Sequence, residues 1–301
     1  MGKTGFAIDL SRRFNGEIVG ADSMQIYRHM TIGTAKPTAE EQATVIHHMV
    51  DIVDPHEEFD AAEYGRRAAD VVSGLIAAGK QPFVVGGTGL YIKALIYGLT
   101  RAARSDEKIR ESLKARLERR GVRAMHECLS RVDPRSARRI HPNDAFRILR
   151  ALEVFEITGR SITAHHDAHQ FARPRFNALH IGLSLPRPRL YTRIDQRVDA
   201  MLASGLVEEV RSLLAMGCHP RLKSMQALGY RHMVDYLQGR TEWTEAVRTL
   251  KRDHRRYAKR QLTWFGADRQ VNWLQPDQLS EADTLVRGFL FSPLTTHHSE
   301  A

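Results

Sequence analysis

A parallel β-sheet covered by helices and interrupted by a helical insertion is the fold class this 301-residue sequence predicts. Three observations predict it. Short apolar runs of strand character alternate with helical periodicity through the first hundred residues, the pattern of an α/β sheet. From about Arg101 charged helical patterns replace the strands. Strand character then returns at Ala178–Ser184 (ALHIGLS), so residues 101–175 read as an insertion within one core made of 1–100 and 176–301.

The elements follow in order. Glu17–Ala21 (EIVGA) and Gln81–Val85 (QPFVV) are short apolar strands, each followed at once by polar or glycine-rich residues. Those loops fall at the carboxyl ends of strands, where open α/β sheets bind ligands. Between them, Tyr64, Ala68, Val71, Val72 and Leu75 make Ala61–Ala78 an amphipathic crossover helix that ends near Gly79. In the insertion, Ser105 with Asp106 and Glu107 starts a helix that places Ile109, Leu113 and Leu117 on one face and closes at Gly121. Asn143 is positioned to cap a second helix, with Phe146, Leu149 and Leu152 on one face and a stop at Gly159. The polar stretch His165–Arg175, broken by Pro174, reads as a connector. Helical patterns fill Leu190–Met216, interrupted at Gly205, and Thr241–Trp264. There is no internal repeat.

Composition narrows the function. With 42% hydrophobic and 27% charged residues the chain is of ordinary globular type, which excludes a disordered chain. No apolar run reaches the roughly 18 residues of a membrane span, and the first residues lack a signal peptide's apolar core, so a cytosolic location without membrane attachment is expected. Cys128 and Cys218 form no C-x-x-C pair, which argues against a disulfide framework or a cysteine zinc site, and both read as buried thiols. Net charge is +10, but residues 1–100 carry −3 and the remainder +13. That asymmetry points to a polyanionic partner for the second part.

Several short stretches carry chemistry. Gly2-Lys3-Thr4 matches the end of a phosphate-binding loop, although three residues match by coincidence easily. Asp22 stands at the carboxyl end of the first strand, where it serves as a general base, a metal ligand or simply a helix cap. Ile32–Pro37 (IGTAKP) and Gly86–Tyr91 (GGTGLY) are small-residue loops in which glycines allow close backbone approach and Thr88 offers a hydroxyl. A tight strand-to-helix turn needs the same glycines. Arg248, Arg252, Arg255, Arg256 and Lys259 fall near one helical face, joined by Lys251 and Arg260, with only Glu245 and Asp253 as acids among them. The run ends in Gln261, Thr263, Trp264 and Phe265, groups suited to an unstacked base, so nucleic acid is the favoured partner. His165, His166, Asp167 and His169 have metal-like spacings but sit in a polar connector and read as solvated. His47 and His48 read as packing or loop structure.

Taken in order, GKT (2–4), ADSMQIY (21–27), IGTAKP (32–37), HHMVDI (47–52), GGTGLYI (86–92), HPNDAFRILRALEV (141–154), QALGYR (226–231) and KRQLTWF (259–265) resemble the tRNA dimethylallyltransferases, also called tRNA isopentenyltransferases. The resemblance covers nearly the whole chain. It implies a P-loop-kinase-like core and a helical insertion that grips the anticodon stem-loop. It also implies transfer of a dimethylallyl group from its diphosphate to N6 of the adenine 3′ of the anticodon in tRNAs reading codons that begin with U, with Mg²⁺ assisting. A monomer is expected, although nothing in the sequence fixes the oligomeric state.

By the same resemblance, Asp22 is the base at N6 and Thr88 the hydroxyl beside it, while Gly2, Lys3 and Thr4 form the diphosphate site, with Thr4 on Mg²⁺. It implies tRNA contacts at Asp22, Ser23, Met24, Gln25, Thr88 and Arg110, and at Phe146, Arg147, Ile148, Leu149 and Arg150. Further contacts are implied at Gln226, Ala227, Leu228, Gly229, Tyr230 and Arg231, and at Lys259, Arg260, Gln261, Leu262, Thr263, Trp264, Phe265 and Gly266. Gly266 is commonly Arg in the family, so one phosphate-binding cation is expected to be missing. Met1 stands where the family has a residue inside its phosphate loop, so the diphosphate site is expected to be incomplete and a form extended upstream to be more stable. Two other readings compete: a small-molecule P-loop kinase, and a noncatalytic tRNA-binding remnant.

Overall fold

The structure is a computed structural model that describes residues 2–99, 106–169 and 174–291, apart from the side chains of His166, Ala168 and His169. Met1 and the expected helix start at Ser105 lie outside the described residues. The chain divides into two compact units, one of Met1–Leu95 with Asn177–Ala301 and one of Ile96–Phe176.

In the first unit, helix α1 (Lys3–Arg13) starts from Gly2, whose φ of 77° is the left-handed conformation glycine tolerates. Strand β1 (Gly16–Ala21), the short helix α2 (Ala39–Thr44), strand β2 (His47–His48), helix α3 (Ala61–Ala77), strand β3 (Gln81–Gly86) and helix α4 (Gly89–Tyr97) follow. The strand order is β2-β1-β3 and both pairings are parallel. Helix α3 is the expected crossover: Asp60 caps it by accepting from the Glu63 amide, and Tyr64, Ala68, Val72 and Leu75 are buried. Tyr64 Oη also donates to the Gly20 carbonyl at 2.9 Å, tying helix to strand. His47 and His48, expected as packing or loop residues, form β2, with His48 Nε2 2.7 Å from Glu17 Oε2.

The second unit is helical. It contains α5 (Glu107–Val132), α6 (Pro134–Arg139), α7 (Ala145–Thr158) and α8 (Ile162–His169) around a core of Leu113, Met125, Leu129, Ile148, Ala151 and Leu152. Gly121, at φ 77° and ψ 164°, breaks α5 where a stop is expected, but the chain resumes the helix beyond it. The cap of α7 is Asp144, not Asn143, because the Asp144 carboxylate accepts the Arg147 amide at 3.1 Å. The expected connector begins as helix α8, anchored because buried Asp133 accepts the Thr163 amide and hydroxyl at 3.0 and 2.7 Å. Cys128 packs against this core only half-buried, whereas Cys218, in the first unit, is buried as expected.

The first unit resumes with β4 (His180–Leu183), α9 (Arg187–Ala203), α10 (Leu206–Ala215), α11 (Tyr230–Leu237), α12 (Trp243–Gly266), β5 (Val271–Leu274) and α13 (Leu279–Phe291). Strands β4 and β5 pair in parallel as a second, two-stranded sheet. Helix α1 serves both sheets: Phe6 and Leu10 pack with Leu183, Ala282 and Val286, while Ala7 and Ile8 pack with Ile18 and Val45. Its position is therefore fixed on two sides, which matters because Lys3 sits on its first turn. Among the described residues no helix is long and apolar enough to cross a membrane.

Candidate active site at the carboxyl ends of β1 and β3

Asp22 leaves β1 into a turn that its own side chain makes: Oδ1 accepts the Met24 amide at 2.9 Å and the Gln25 amide at 3.4 Å. Thr88 leaves β3 and stitches the two loops together. Its Oγ1 accepts the Ser23 amide at 3.0 Å, and its own amide donates to the Ala21 carbonyl at 3.1 Å. Among the described residues no hydrogen bond engages Asp22 Oδ2.

The charge of this carboxylate is felt by two cations, neither of them within ion-pair distance. Burial pushes the Lys3 ammonium below its ordinary value, the charge of Asp22 opposes that, and the charge of Arg197 adds to it. Burial likewise pushes the Arg197 guanidinium down, again opposed by Asp22. By surface area Lys3 is half-buried and Arg197 exposed, and neither stands within ion-pair distance of Asp22, so two positive groups feel one carboxylate without being matched by it, an arrangement that favours an added anion. The first turn of α1 adds to this, since it holds no acidic residue and Gly2 offers no side-chain cap.

Helix α12 closes the site. Burial first, and then the charge of Asp22, push the Tyr257 phenol up, while the neighbouring side chains of Thr88 and Gln261 pull it down. Gln261 Nε2 donates to the Gly87 carbonyl at 2.9 Å. A Cβ at Gly87 would lie 1.9 Å from Gln261 Nε2 and 3.2 Å from Lys3 Nζ, and one at Gly89 only 2.0 Å from Trp264 Nε1. Gly87 and Gly89 of the GGTGLY loop are there to admit α12. His254, also on α12, is pushed down to about 4 by burial and then by the charges of Arg197 and His232. Its buried Nε2 has no hydrogen-bond partner.

A second polar knot holds the IGTAKP loop. Glu209 accepts the amides of Thr31, Ile32 and Gly33 at 2.8, 2.7 and 3.1 Å and the Tyr230 hydroxyl at 2.6 Å. Gln25 Nε2 donates to the Thr34 and Ala35 carbonyls at 3.1 and 2.9 Å. Lys36, buried, pairs with Asp51.

The sequence-derived residues therefore separate. Lys3, Asp22 and Thr88 come together with Gln261 and Trp264 in the first unit. Lys259, Arg260, Thr263 and Gly266 are exposed on α12, and Leu262 and Phe265 are half-buried there. Gln226, Ala227, Leu228, Gly229 and Arg231 lie at and before the start of α11, where Arg231 pairs with Asp253 at 2.6 Å. Arg110, Phe146, Arg147, Leu149 and Arg150 belong to the second unit. The side chains of Tyr230 and Ile148 are fully buried, the first serving Glu209 and the second the helical core, so a contact at these two positions would fall on the backbone.

The basic face of α12 needs correction. Lys251 pairs with Asp199 at 2.6 Å and Arg255 with Asp195 at 2.8 Å, both acids coming from α9. Asp253 engages Arg252 at 2.9 Å and Arg256 at 3.6 Å. Counting acids within α12 alone overstates its free positive charge. Arg197 and Tyr257 are absent from the sequence-derived set. Tyr257 is findable as the residue one turn before Gln261; Arg197 sits among other arginines of α9 with no local signal.

With that geometry in view, comparison with known proteins is decisive. The sequence model of the IPP transferase family matches residues 25–269. The chain belongs to this family. Among IPP transferase relatives, a tRNA dimethylallyltransferase of Syntrophobacter fumaroxidans is 53% identical over 91% of this chain and 80% of that protein. One of Desulfosudis oleivorans is 51% identical over 96% of this chain and 93% of that protein. Among solved structures, the tRNA isopentenylpyrophosphate transferase of Bacillus halodurans superposes with a TM-score of 0.71 at 41% identity, over 95% of this chain and 92% of that one. A eukaryotic dimethylallyltransferase acting on tRNA superposes with a TM-score of 0.76 at 27% identity, over 96% of this chain and 74% of that one. The family's α/β character agrees with the fold described above.

Proposed function

We propose that this chain transfers a dimethylallyl group from dimethylallyl diphosphate to N6 of the adenine 3′ of the anticodon, in tRNAs reading codons that begin with U. The observation that carries this reading is the meeting of Asp22 and Thr88 where β1 and β3 end, with Lys3 Nζ beside Gly87 and the charges of Lys3 and Arg197 both felt at Asp22.

The chemistry asks for what the site offers. An exocyclic adenine amine is a poor nucleophile because its lone pair is delocalised into the ring. Asp22 takes the N6 proton as the new C–N bond forms, a contribution of roughly 10² to 10⁴ in rate. The C–O bond to diphosphate breaks at the same carbon, and the diphosphate leaves with its electron pair. Lys3, Arg197 and the open amides of the first turn of α1 neutralise that developing charge. Thr88 holds the Asp22 turn in place through the Ser23 amide. The adenine must leave its stack, at a cost of a few kcal/mol, and the half-exposed Trp264 beside Gly89 is an aromatic face on which a base can rest.

The oxygen donors here, the Thr4 hydroxyl and the Asp22 carboxylate, are of the kind Mg²⁺ accepts, and among the described residues no group of three or more His, Cys, Asp or Glu side chains offers a fuller set. Thr4 would hold such an ion, which would supply further charge neutralisation to the leaving group. The reaction needs only one chain, so we assign it to a monomer, in the cytoplasm.

Anticodon stem-loops carrying adenine or guanine 3′ of the anticodon, offered with labelled dimethylallyl diphosphate, test the reading. Label should enter the adenine form only. Labelling of both, or of neither while ATP is hydrolysed with a small-molecule acceptor, would replace it with the kinase reading.

A further inference from the structure

The second unit contains a carboxylate the reaction does not use. Glu153 on α7 has a side chain only 4% exposed, yet it holds two arginines whose side chains are partly exposed. Its Oε2 accepts Arg150 Nη1 at 2.8 Å, and its Oε1 lies 3.2 Å from Arg110 Nη2 of α5, an ion pair without a directed hydrogen bond. The side chains of Arg110 and Arg150 remain 45% and 35% exposed. One helical turn before Arg150, Phe146 is 81% exposed, among the most exposed large apolar side chains described.

We propose that Glu153 is a positioning residue for tRNA: it fixes Arg110 and Arg150 as a paired cation beside Phe146, ready to take an RNA phosphate while the ring packs on the ribose or base next to it. This inference rests on the proposed function and adds a residue to it. The physical argument is one of preorganisation. Arginine side chains on an exposed helix face lose rotamer freedom when they bind an anion, and a buried anchor removes that freedom before the RNA arrives. A carboxylate kept for the helix pair alone would gain most from partners buried with it. Here the anchor is buried while both arginine side chains stay partly exposed.

The inference has a sign that a plain charge argument reverses. Glu153→Gln makes the surface one unit more positive, so simple electrostatics predicts tighter tRNA binding. Preorganisation predicts weaker binding, by about tenfold in Kd and in KM for tRNA, with kcat and the KM for dimethylallyl diphosphate within about twofold. The slope of log K against log salt should also flatten by about 0.7 to 0.9 for each phosphate that is no longer neutralised. A purely structural role would lower the melting temperature and leave the KM for tRNA and the slope unchanged.

Arg110→Lys and Arg150→Lys keep the charge but not the planar fork, so each should weaken tRNA binding several-fold in a folded protein, even if Glu153→Gln does not fold. Unchanged or tighter tRNA binding in folded Glu153→Gln overturns the proposal, as does unchanged binding in both lysine variants. Absence of any salt-dependent tRNA binding by the unsubstituted protein would overturn the functional reading as well, which distinguishes the two failures.

Discussion

The two oxygens of Asp22 have different surroundings: Oδ1 builds the turn that follows β1, and Oδ2 is the oxygen to which the proposed function gives the N6 proton. Asp22→Asn retains an acceptor for the Met24 amide but no base. Single-turnover transfer should therefore fall by roughly 10² or more while tRNA affinity stays within a few-fold. Near-normal turnover would take Asp22 out of the mechanism. His254 gives a second prediction at this scale. Its folded value of about 4 lies below the ordinary 6.5. The unfolded chain therefore binds the proton more tightly, and stability present at neutral pH is lost as pH falls from about 6.5 toward 4. At about pH 5 the loss from this group is ~2 kcal/mol. His254→Gln should flatten the fall in melting temperature between pH 7 and 5; an unchanged profile would place the sensitivity elsewhere. Asp22 and Thr88 are legible in the sequence because strand ends followed by polar loops are a local signal. Arg197 is not, since only the folded path of α9 brings it near enough for its charge and those of Asp22 and Lys3 to be felt.

At the scale of elements, β1 and β3 set how closely their loops approach. A Cβ at Gly86 would sit 2.0 Å from the Ala21 carbonyl oxygen, a backbone atom that cannot step aside. Gly86→Ala should destabilise the protein by roughly 1–3 kcal/mol or more, and thermal denaturation measures it. On α12 the ion pairs divide the basic face. Lys259→Gln and Arg260→Gln should each reduce the salt slope of tRNA binding by about 0.7 to 0.9, because no acid holds either among the described residues. Arg255→Gln, which breaks a pair with Asp195, should move the melting temperature more than the slope. Equal slopes in all three variants would mean the face is merely solvated. Strands β1 and β3 and helix α3 are legible in the sequence because their apolar periodicity is clean. Helices α1, α11 and α13 and strand β5 do not stand out there, since short amphipathic segments between polar turns have too few periods to be distinguished.

For the whole molecule, the excess of positive charge beyond residue 100 is legible as a polyanionic partner, and the interruption of the α/β pattern as an insertion. What no composition reveals is which cations are already matched within the fold: Asp195, Asp199 and Asp253 together engage much of α12, and Glu153 engages two arginines of the second unit. The central claim is that Asp22, feeling the charges of Lys3 and Arg197, removes the N6 proton of a tRNA adenine during prenyl transfer. Nucleoside mass spectrometry of unmodified tRNA, incubated with dimethylallyl diphosphate and either the unsubstituted protein or Asp22→Asn, tests it most directly. The expected result is N6-dimethylallyladenosine with the former and at least a roughly hundredfold slower appearance with the latter, at undiminished tRNA binding. Equal rates in both, or no prenylated adenosine from a protein that binds both substrates, would contradict it.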